Sequence, residues 1–562
     1  RTTEAQNHRG TGHSVCPESF LLSRWLDSSG SSGKFLWVAL AACQCCLQPV
    51  SRSDKRIRGW NVIDIQRPCR ADCRQSVAPS SDNSYEPGIL SMLDLTGINR
   101  RTFLSASGVG LGAAALGALM SRDTLGGANR GGIEGLPHFA GKAKRVIFLC
   151  MAGGPSHLET FDYKPKLDEM NGQPMPESFT VGQPIAQLRG KPLNVQGHLT
   201  KFRKHGESGQ LISDFLPWHG KMADDICIIR SMVTEQINHD PAHTFMNTGT
   251  GINGRPSMGA WLNYGLGSEA EDLPGFVVLT SVGGRNPQPI ASRQWGAGFL
   301  PSRFQGVQFN SSGDPVNYVR NPAGVSAVQQ GQLVETIQQL DRYRNEKLRD
   351  PEIVTRIAAM EMAFRMQTSV PELVDMSGES KETLDMYGAK PGDGSYASNC
   401  LLARRMAERG VRFIHLYHRG WDHHGGLVNY MNTCCGLTDR PTWALLTDLK
   451  QRGMLEDTLI IWGGEFGRTP MFQGKGGAGR DHHIKGFSMW MAGGGIKGGI
   501  SYGATDELGY NSVEDVVHVR DLHATMLHCV GIDAHRFSVK HQGLDSRLTG
   551  VEPARVIQPI LS

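Results

Sequence analysis

The chain has 562 residues, of which 39% are hydrophobic and 20% charged. That is enough apolar material for a real core and enough length for two or three average domains or one large one. The net charge is +4, with 58 basic and 54 acidic residues, which gives no reason to expect nucleic acid or an anionic membrane as a partner.

Residues 1–91 show no sustained helical or strand period and contain six of the twelve cysteines. The first methionine is Met92, and the stretch is expected to be a non-native or disordered extension. A second reading of "LAAC" at 40–43 is a lipoprotein cleavage box with Cys43 lipidated. Residues 92–125 begin "MLDLTGINRRTFL", with Arg100 and Arg101 ahead of a Gly/Ala-rich apolar run to Met120. This is similar to a twin-arginine export signal, which implies a periplasmic or cell-envelope protein. The run is too glycine-rich for a stable membrane span. A buried Gly/Ala helix is the other reading.

The domain proper is expected over 140–549. Short apolar runs, three of them ending in glycines, mark buried strands: "AKRVIFLCMAGG", "DDICIIRSM", "GVRFIHLY", "DTLIIWGG" and "GFSMWMAGG". Helical segments lie between them. "DPEIVTRIAAMEMAFRMQ" carries Asp350 as N-cap ahead of Pro351, and "SNCLLARRMAERG" closes on Gly410. Strands alternating with helices predict an α/β domain with a largely parallel sheet and helices on both faces. Residues 265–330 are rich in Gly, Pro, Arg and Asn and read as a long insertion over one face, in the manner of a lid. Met232, Met246 and Met489 read as core.

In such a sheet, ligands bind beyond the carboxyl ends of the strands. The first strand is followed by Ser156, His157 and Asp162, and the second by His239, Asp240, His243 and Thr248. The third is followed by Asp422, His423 and His424, the fourth by Glu465 and Arg468, and Asp481, His482 and His483 precede the fifth. Imidazole and carboxylate at so many strand ends suit a divalent metal: zinc, calcium or manganese. Such an ion polarises a phosphoryl or sulfuryl oxygen and acidifies a bound water. Arg468 is a candidate partner for an anionic ester. Each histidine taken singly is as well read as a loop residue bonded to backbone.

"NRRTFL", "FLCMAGGPSHLETFDYKP", "HDPAHTFMNTG", "CLLARRMAERGVRFIHLYHRGWDHH", "LIIWGGEFGRTP" and "GRDHHIKGFSMWMAGGGIKGG" together resemble the bacterial domain of unknown function family 1501 over 92–549. That family is similar in turn to the alkaline phosphatase and sulfatase superfamily, which implies an alkaline-phosphatase-like core with long loop insertions. "HDPAHTFMNTG" resembles the sulfatase nucleophile stretch, with Pro241, Thr248 and Gly249 in step. His239 then stands at the nucleophile position and His243 at that of the arginine. Glu465 falls at a metal-binding aspartate, Phe466 replaces the histidine after it, and His482 or His483 falls at a late ligand. Gly153 and Gly154 stand where sulfatases carry paired aspartates. The resemblance implies a metal-dependent hydrolase of small anionic esters or of sulfated or phosphorylated glycans. In it, Asp422, His423, His424, Glu465, Asp481, His482 and His483 supply ligands, and His239, His243 and Arg468 do chemistry. The alternative is a non-catalytic envelope binding or scaffold protein on the same fold.

Overall fold

A computed structural model of the protein describes residues 132–562, apart from 285–286, 289, 311–312, 317–319, 322–323, 349–350 and 475–476. The expected extension, the twin-arginine segment and Asp350 lie outside these residues.

Among the described residues, nine strands build one sheet. In chain order they are β1 (Arg145–Ala152), β2 (Cys227–Val233), β3 (Phe276–Ser281), β4 (Val307–Phe309), β5 (Phe413–Arg419), β6 (Thr458–Gly463), β7 (Phe487–Ala492), β8 (Ile500–Tyr502) and β9 (Val517–His518). The spatial order is β8-β2-β7-β6-β1-β5-β3-β4, and β9 also pairs with β2. Every pairing is parallel except those of β7, which runs antiparallel to both β2 and β6.

The two faces of β1 show why the sheet lies in the middle. All eight of its residues are buried. Ile147, Leu149 and Met151 belong to one apolar cluster, and Val146, Phe148, Cys150 and Ala152 to the other. Successive side chains of a strand point to opposite faces, so a strand without polar alternation must be covered twice. The main helices are α1 (His239–Thr248), α2 (Met258–Leu266), α3 (Ala327–Leu348), α4 (Pro351–Val374), α5 (Tyr396–Glu408), α6 (Leu427–Gln451) and α7 (Val519–Cys529). Helices α5 and α6 cover the first face, and α2 and α7 the second. Each large apolar side chain so buried contributes about 1.5–3 kcal/mol. Met232, Met246 and Met489 are core residues. Helix α5 is capped by Ser395, whose hydroxyl accepts from Ser398 N–H, and Gly410 follows it at φ +82°.

The structure corrects the reading of 265–330 as an insertion. Strands β3 and β4 both lie in that stretch, and β3 pairs with β5 over six residues. The apolar run of β3 is short and hemmed by Pro274, Gly275, Gly283 and Gly284, so loop composition outweighed it.

Candidate metal centre

Strands β1, β2, β5 and β6 end at one edge of the sheet, and β7, running the other way, begins there. That reversal is why residues preceding β7 share a site with residues following the others. Beyond β1 lie Gly153 and Gly154; beyond β5, Asp422 and His424; beyond β6, Glu465. Beyond β2, the chain enters α1 at His239. Just ahead of β7, His482 and His483 pair antiparallel with Arg468 and Gly467 in a two-residue ribbon.

Four of these residues converge. One donor atom from each of His239, Asp422, His424 and His482 lies within 4.8 Å of all the others. Asp422 Oδ1 is the hub: His424 Nε2 is 2.8 Å from it, His482 Nε2 3.2 Å and His239 Nε2 3.3 Å. His424 Nε2 and His482 Nε2 are 3.0 Å apart.

The opposite ring nitrogens explain this crowding. His239 Nδ1 lies 2.6 Å from Glu465 Oε1, His424 Nδ1 2.6 Å from Gln473 Oε1, and His482 Nδ1 2.8 Å from Ile237 O. All three partners are acceptors, so each Nδ1 carries the proton and each neutral ring turns its Nε2 lone pair to the centre. Three lone pairs and a carboxylate oxygen facing one point repel one another unless a cation stands there. His239 Nε2 is moreover buried with no hydrogen-bond partner. A tetrahedral ion with bonds of about 2.0–2.2 Å needs donors roughly 3.3–3.6 Å apart, a few tenths of an ångström more than most of the separations observed. The residues present therefore fit a divalent cation. The acceptors on the Nδ1 atoms are the outer partners that fix ligating imidazoles elsewhere.

Glu465 stands behind His239. Its carboxylate accepts from Gly153 N at 3.0 and 3.1 Å and from Gly154 N at 3.2 Å. Burial works against its charge, yet the neighbouring His243 and His239 hold it down to about 2. His243, four residues after His239 on the same helix face, brings Nε2 to 3.4 Å from Glu465 Oε1. Burial opposes ionisation of Asp422 too, but His239, His424, His482 and Arg468 together hold its carboxyl far below the ordinary range. Burial lowers His482 to about 4, whereas the Asp422 and Glu465 carboxylates lift His239 above its ordinary value against burial.

Arg468 is fully buried. It donates to Gly154 O at 2.9 Å, to Arg480 O at 3.2 Å, to Gly153 O, and to Asp422 Oδ1 at 2.8 Å. The guanidinium is spent on loop ends and on neutralising Asp422, and does not reach out toward an anionic ester. His423 and His483 do not join the cluster. Each is the chain neighbour of a residue that does, and neighbours in an extended run project oppositely. His423 Nε2 meets Gly420 O at 2.9 Å and His483 Nε2 meets Tyr510 O at 2.5 Å; burial pushes both rings down to about 3. Asp481 Oδ1 is 4.0 Å from His424 Nδ1, while its Oδ2 accepts from Leu188 N at 2.7 Å. His157 and Asp162 also lie apart: His157 Nε2 meets Gly509 O at 2.8 Å, and Asp162 pairs with Lys164 at 3.1 Å. Ser156 donates to Glu159. Asp240 pairs with Arg293, and Thr248 donates to Thr244 O.

Three glutamines complete the surroundings. Gln473 anchors His424. Gln288 Nε2 donates to Asp422 Oδ2 at 3.0 Å, and Gln187 Nε2 lies 3.1 Å from His424 Nε2. No motif announces them; only the neutral polarity of loop glutamines near strand ends could have drawn notice.

Residues 143–561 match the family described as "Protein of unknown function (DUF1501)". The chain belongs to that family. No curated protein matches this member of family 1501 in sequence. Solved structures similar to it include the phosphonate monoester hydrolase of Silicibacter pomeroyi, at 13% identity and a TM-score of 0.28, covering 62% of this chain and 71% of that one. A sulfatase of a Pseudoalteromonas species is similar at 12% identity and a TM-score of 0.28, covering 69% and 68%. The alkaline phosphatase of the Antarctic bacterium TAB5 is similar at 10% identity and a TM-score of 0.24, covering 64% and 94%. At these scores the likenesses bear on neither activity nor ligands.

Proposed function

We propose that this family 1501 protein is an exported, metal-dependent hydrolase of phosphate or sulfate esters. The convergence of His239, Asp422, His424 and His482 carries the proposal. The sequence resemblance to the alkaline phosphatase and sulfatase superfamily supports its direction, and the Arg100-Arg101 signal supports export to the periplasm or envelope. Three imidazoles and one carboxylate suit zinc or manganese; calcium, which takes six to eight oxygens at 2.3–2.6 Å, suits them poorly.

When bound, the metal supplies Lewis acidity and an acidified water. The remaining work falls to the chain. Asp422 gathers the three rings and is itself balanced by Arg468. Glu465 holds the Nδ1 proton of His239, with His243 behind it. His239 stands at the nucleophile position of sulfatases, but its two nitrogens face Glu465 and Asp422. That arrangement supports a ligand role for it, with attack on the ester left to water. Substrates are small anionic esters or sulfated or phosphorylated glycans. Among the described residues, no helix is long and apolar enough to cross a membrane.

A second reading is a non-catalytic envelope binding or scaffold protein with a structural ion, and one observation favours it. Four protein donors fill a tetrahedral site, and structural sites are closed whereas catalytic ones stay open. Metal analysis of protein purified from its native compartment, paired with turnover of aryl phosphate and aryl sulfate esters, separates the two. Stoichiometric metal with turnover supports the hydrolase. Metal without turnover supports the scaffold. Metal-free protein without turnover defeats the proposal.

A further inference from the structure

The surroundings of His424 contain a closed ring of hydrogen bonds. His424 Nδ1 donates to Gln473 Oε1 at 2.6 Å, Gln473 Nε2 donates to Gln187 Oε1 at 3.3 Å, and Gln187 Nε2 donates to His424 Nε2 at 3.1 Å. The cycle is self-consistent. The imidazole has one donor and one acceptor, and each amide spends its oxygen and one N–H, so reversing any member would set like against like. With the amides oriented as they are, the ring carries its proton on Nδ1.

The members differ in exposure. Gln473 is 4% exposed, whereas Gln187 lies on the surface. Its segment is pinned at the next residue, where Leu188 N donates to the buried Asp481 carboxylate at 2.7 Å. Asp481 also accepts from His482 N at 2.9 Å, so one carboxylate ties the Gln187 segment to a cluster residue. The amide is thus held at the solvent side of the four donors by two separate anchors, Gln473 at its oxygen and Leu188 at its backbone.

A cation bound by His424 needs the Nε2 lone pair that Gln187 occupies. Its arrival breaks that one hydrogen bond of the ring and leaves the other two intact. The Gln187 amide, still held by its oxygen, then presents beside the centre an N–H₂ group that has lost its acceptor. A pre-aimed neutral donor beside a cation is an anion-stabilising device. We infer that Gln187 is a ligand-contacting residue that, with a metal bound by His424, donates to an oxyanion beside it. This rests on the metal-centre reading given above and adds a recognition role to a residue outside the four donors.

The test uses the full chain loaded with cobalt(II), whose visible spectrum reports the ligands around it, and inorganic phosphate as the probe. Wild type is expected to take up one cobalt and to show a spectral change that saturates with phosphate. Gln187→Ala is expected to bind cobalt as tightly as wild type or more tightly, because the competing hydrogen bond is gone, and phosphate at least five-fold more weakly. Gln187→Glu, which keeps the shape but loses the donor and adds repulsion, is expected to bind phosphate more weakly still. Cobalt uptake with equal phosphate affinity in all three proteins overturns the role of Gln187 while leaving the metal centre standing, as does a wild-type spectrum that phosphate does not alter. Absence of cobalt uptake by wild type defeats the metal reading itself, and this inference with it.

Discussion

His424 and His482 hold their Nε2 atoms 3.0 Å apart, each with its Nδ1 tied to an oxygen. Two neutral rings so placed set lone pair against lone pair, and Asp422 adds a charge that Arg468 only partly answers. A divalent cation relieves all of it. Asp422→Asn and His482→Ala are therefore each expected to reduce stoichiometric zinc or manganese to background, measured by elemental analysis after dialysis. In the wild type, metal at a hundred times its Kd should add about 2.7 kcal/mol of stability, seen as a rise in Tm that a chelator reverses. Retention of full metal in both variants would sink the cluster as a metal site.

Glu465 tests the outer partners separately from the donors. It touches His239 but offers the centre no free oxygen, since both oxygens accept from Gly153 and Gly154 N–H groups. Glu465→Gln keeps the shape and removes the charge that holds the Nδ1 proton. Loss of such a partner lowers metal affinity by about 10–100-fold. Isothermal titration should show that loss with stoichiometry still one. A fall in stoichiometry would make Glu465 a ligand itself.

How far the sequence disclosed this site follows from what strand ends encode. Short apolar runs located β1, β2, β5, β6 and β7, and the polar residues beside them include all four of the converging donors. Direction was not encoded. Nothing in "GFSMWMAGG" says that β7 runs backward, yet only that reversal brings His482 to the shared edge. Nor could spacing decide between His482 and His483, or between His424 and His423, because the answer depends on which way each loop turns. Gln187, Gln288 and Gln473 were invisible for a different reason: a glutamine has no charge to pattern and gains its role only from neighbours brought by folding. Strand β3 was missed because its glycine-rich flanks resembled a loop.

Gly153 fixes the loop that carries Asp422. Its φ is +125°, and a Cβ there would lie 2.4 Å from Asp422 N and 2.6 Å from Trp421 C. Both contacts are backbone, so neither can yield cheaply, and the φ adds strain of its own. Gly153→Ala is expected to cost at least about 2 kcal/mol. Gly436, on the exposed face of α6 with nothing within 4 Å of a built Cβ, is the control. Gly436→Ala should be neutral or stabilising by up to about 1 kcal/mol. Thermal melting of the two variants side by side decides the matter; equal Tm values would show that the approach of Gly153 to Asp422 is not demanded.

Acid sensitivity should trace in part to a histidine remote from the centre. His523, on α7, donates Nε2–H to Met246 O at 2.7 Å and leaves Nδ1 buried without a partner. Burial lowers its pKa to about 4, partly offset by the Met246 carbonyl. In the unfolded chain the ring titrates near its ordinary value of 6.5. Between those values the unfolded state binds more protons, so stability rises with pH across the window. The contribution is fully present above about pH 6.5 and is lost as the pH falls through about 4. Its slope approaches 1.4 kcal/mol per pH unit at most. His523→Gln keeps a donor for Met246 O and removes the titration. Its guanidinium midpoint should therefore drop less than that of the wild type between pH 7 and pH 4.5. Identical drops in the two proteins would show that the ring is solvated or already charged in the folded state, against the burial of Nδ1.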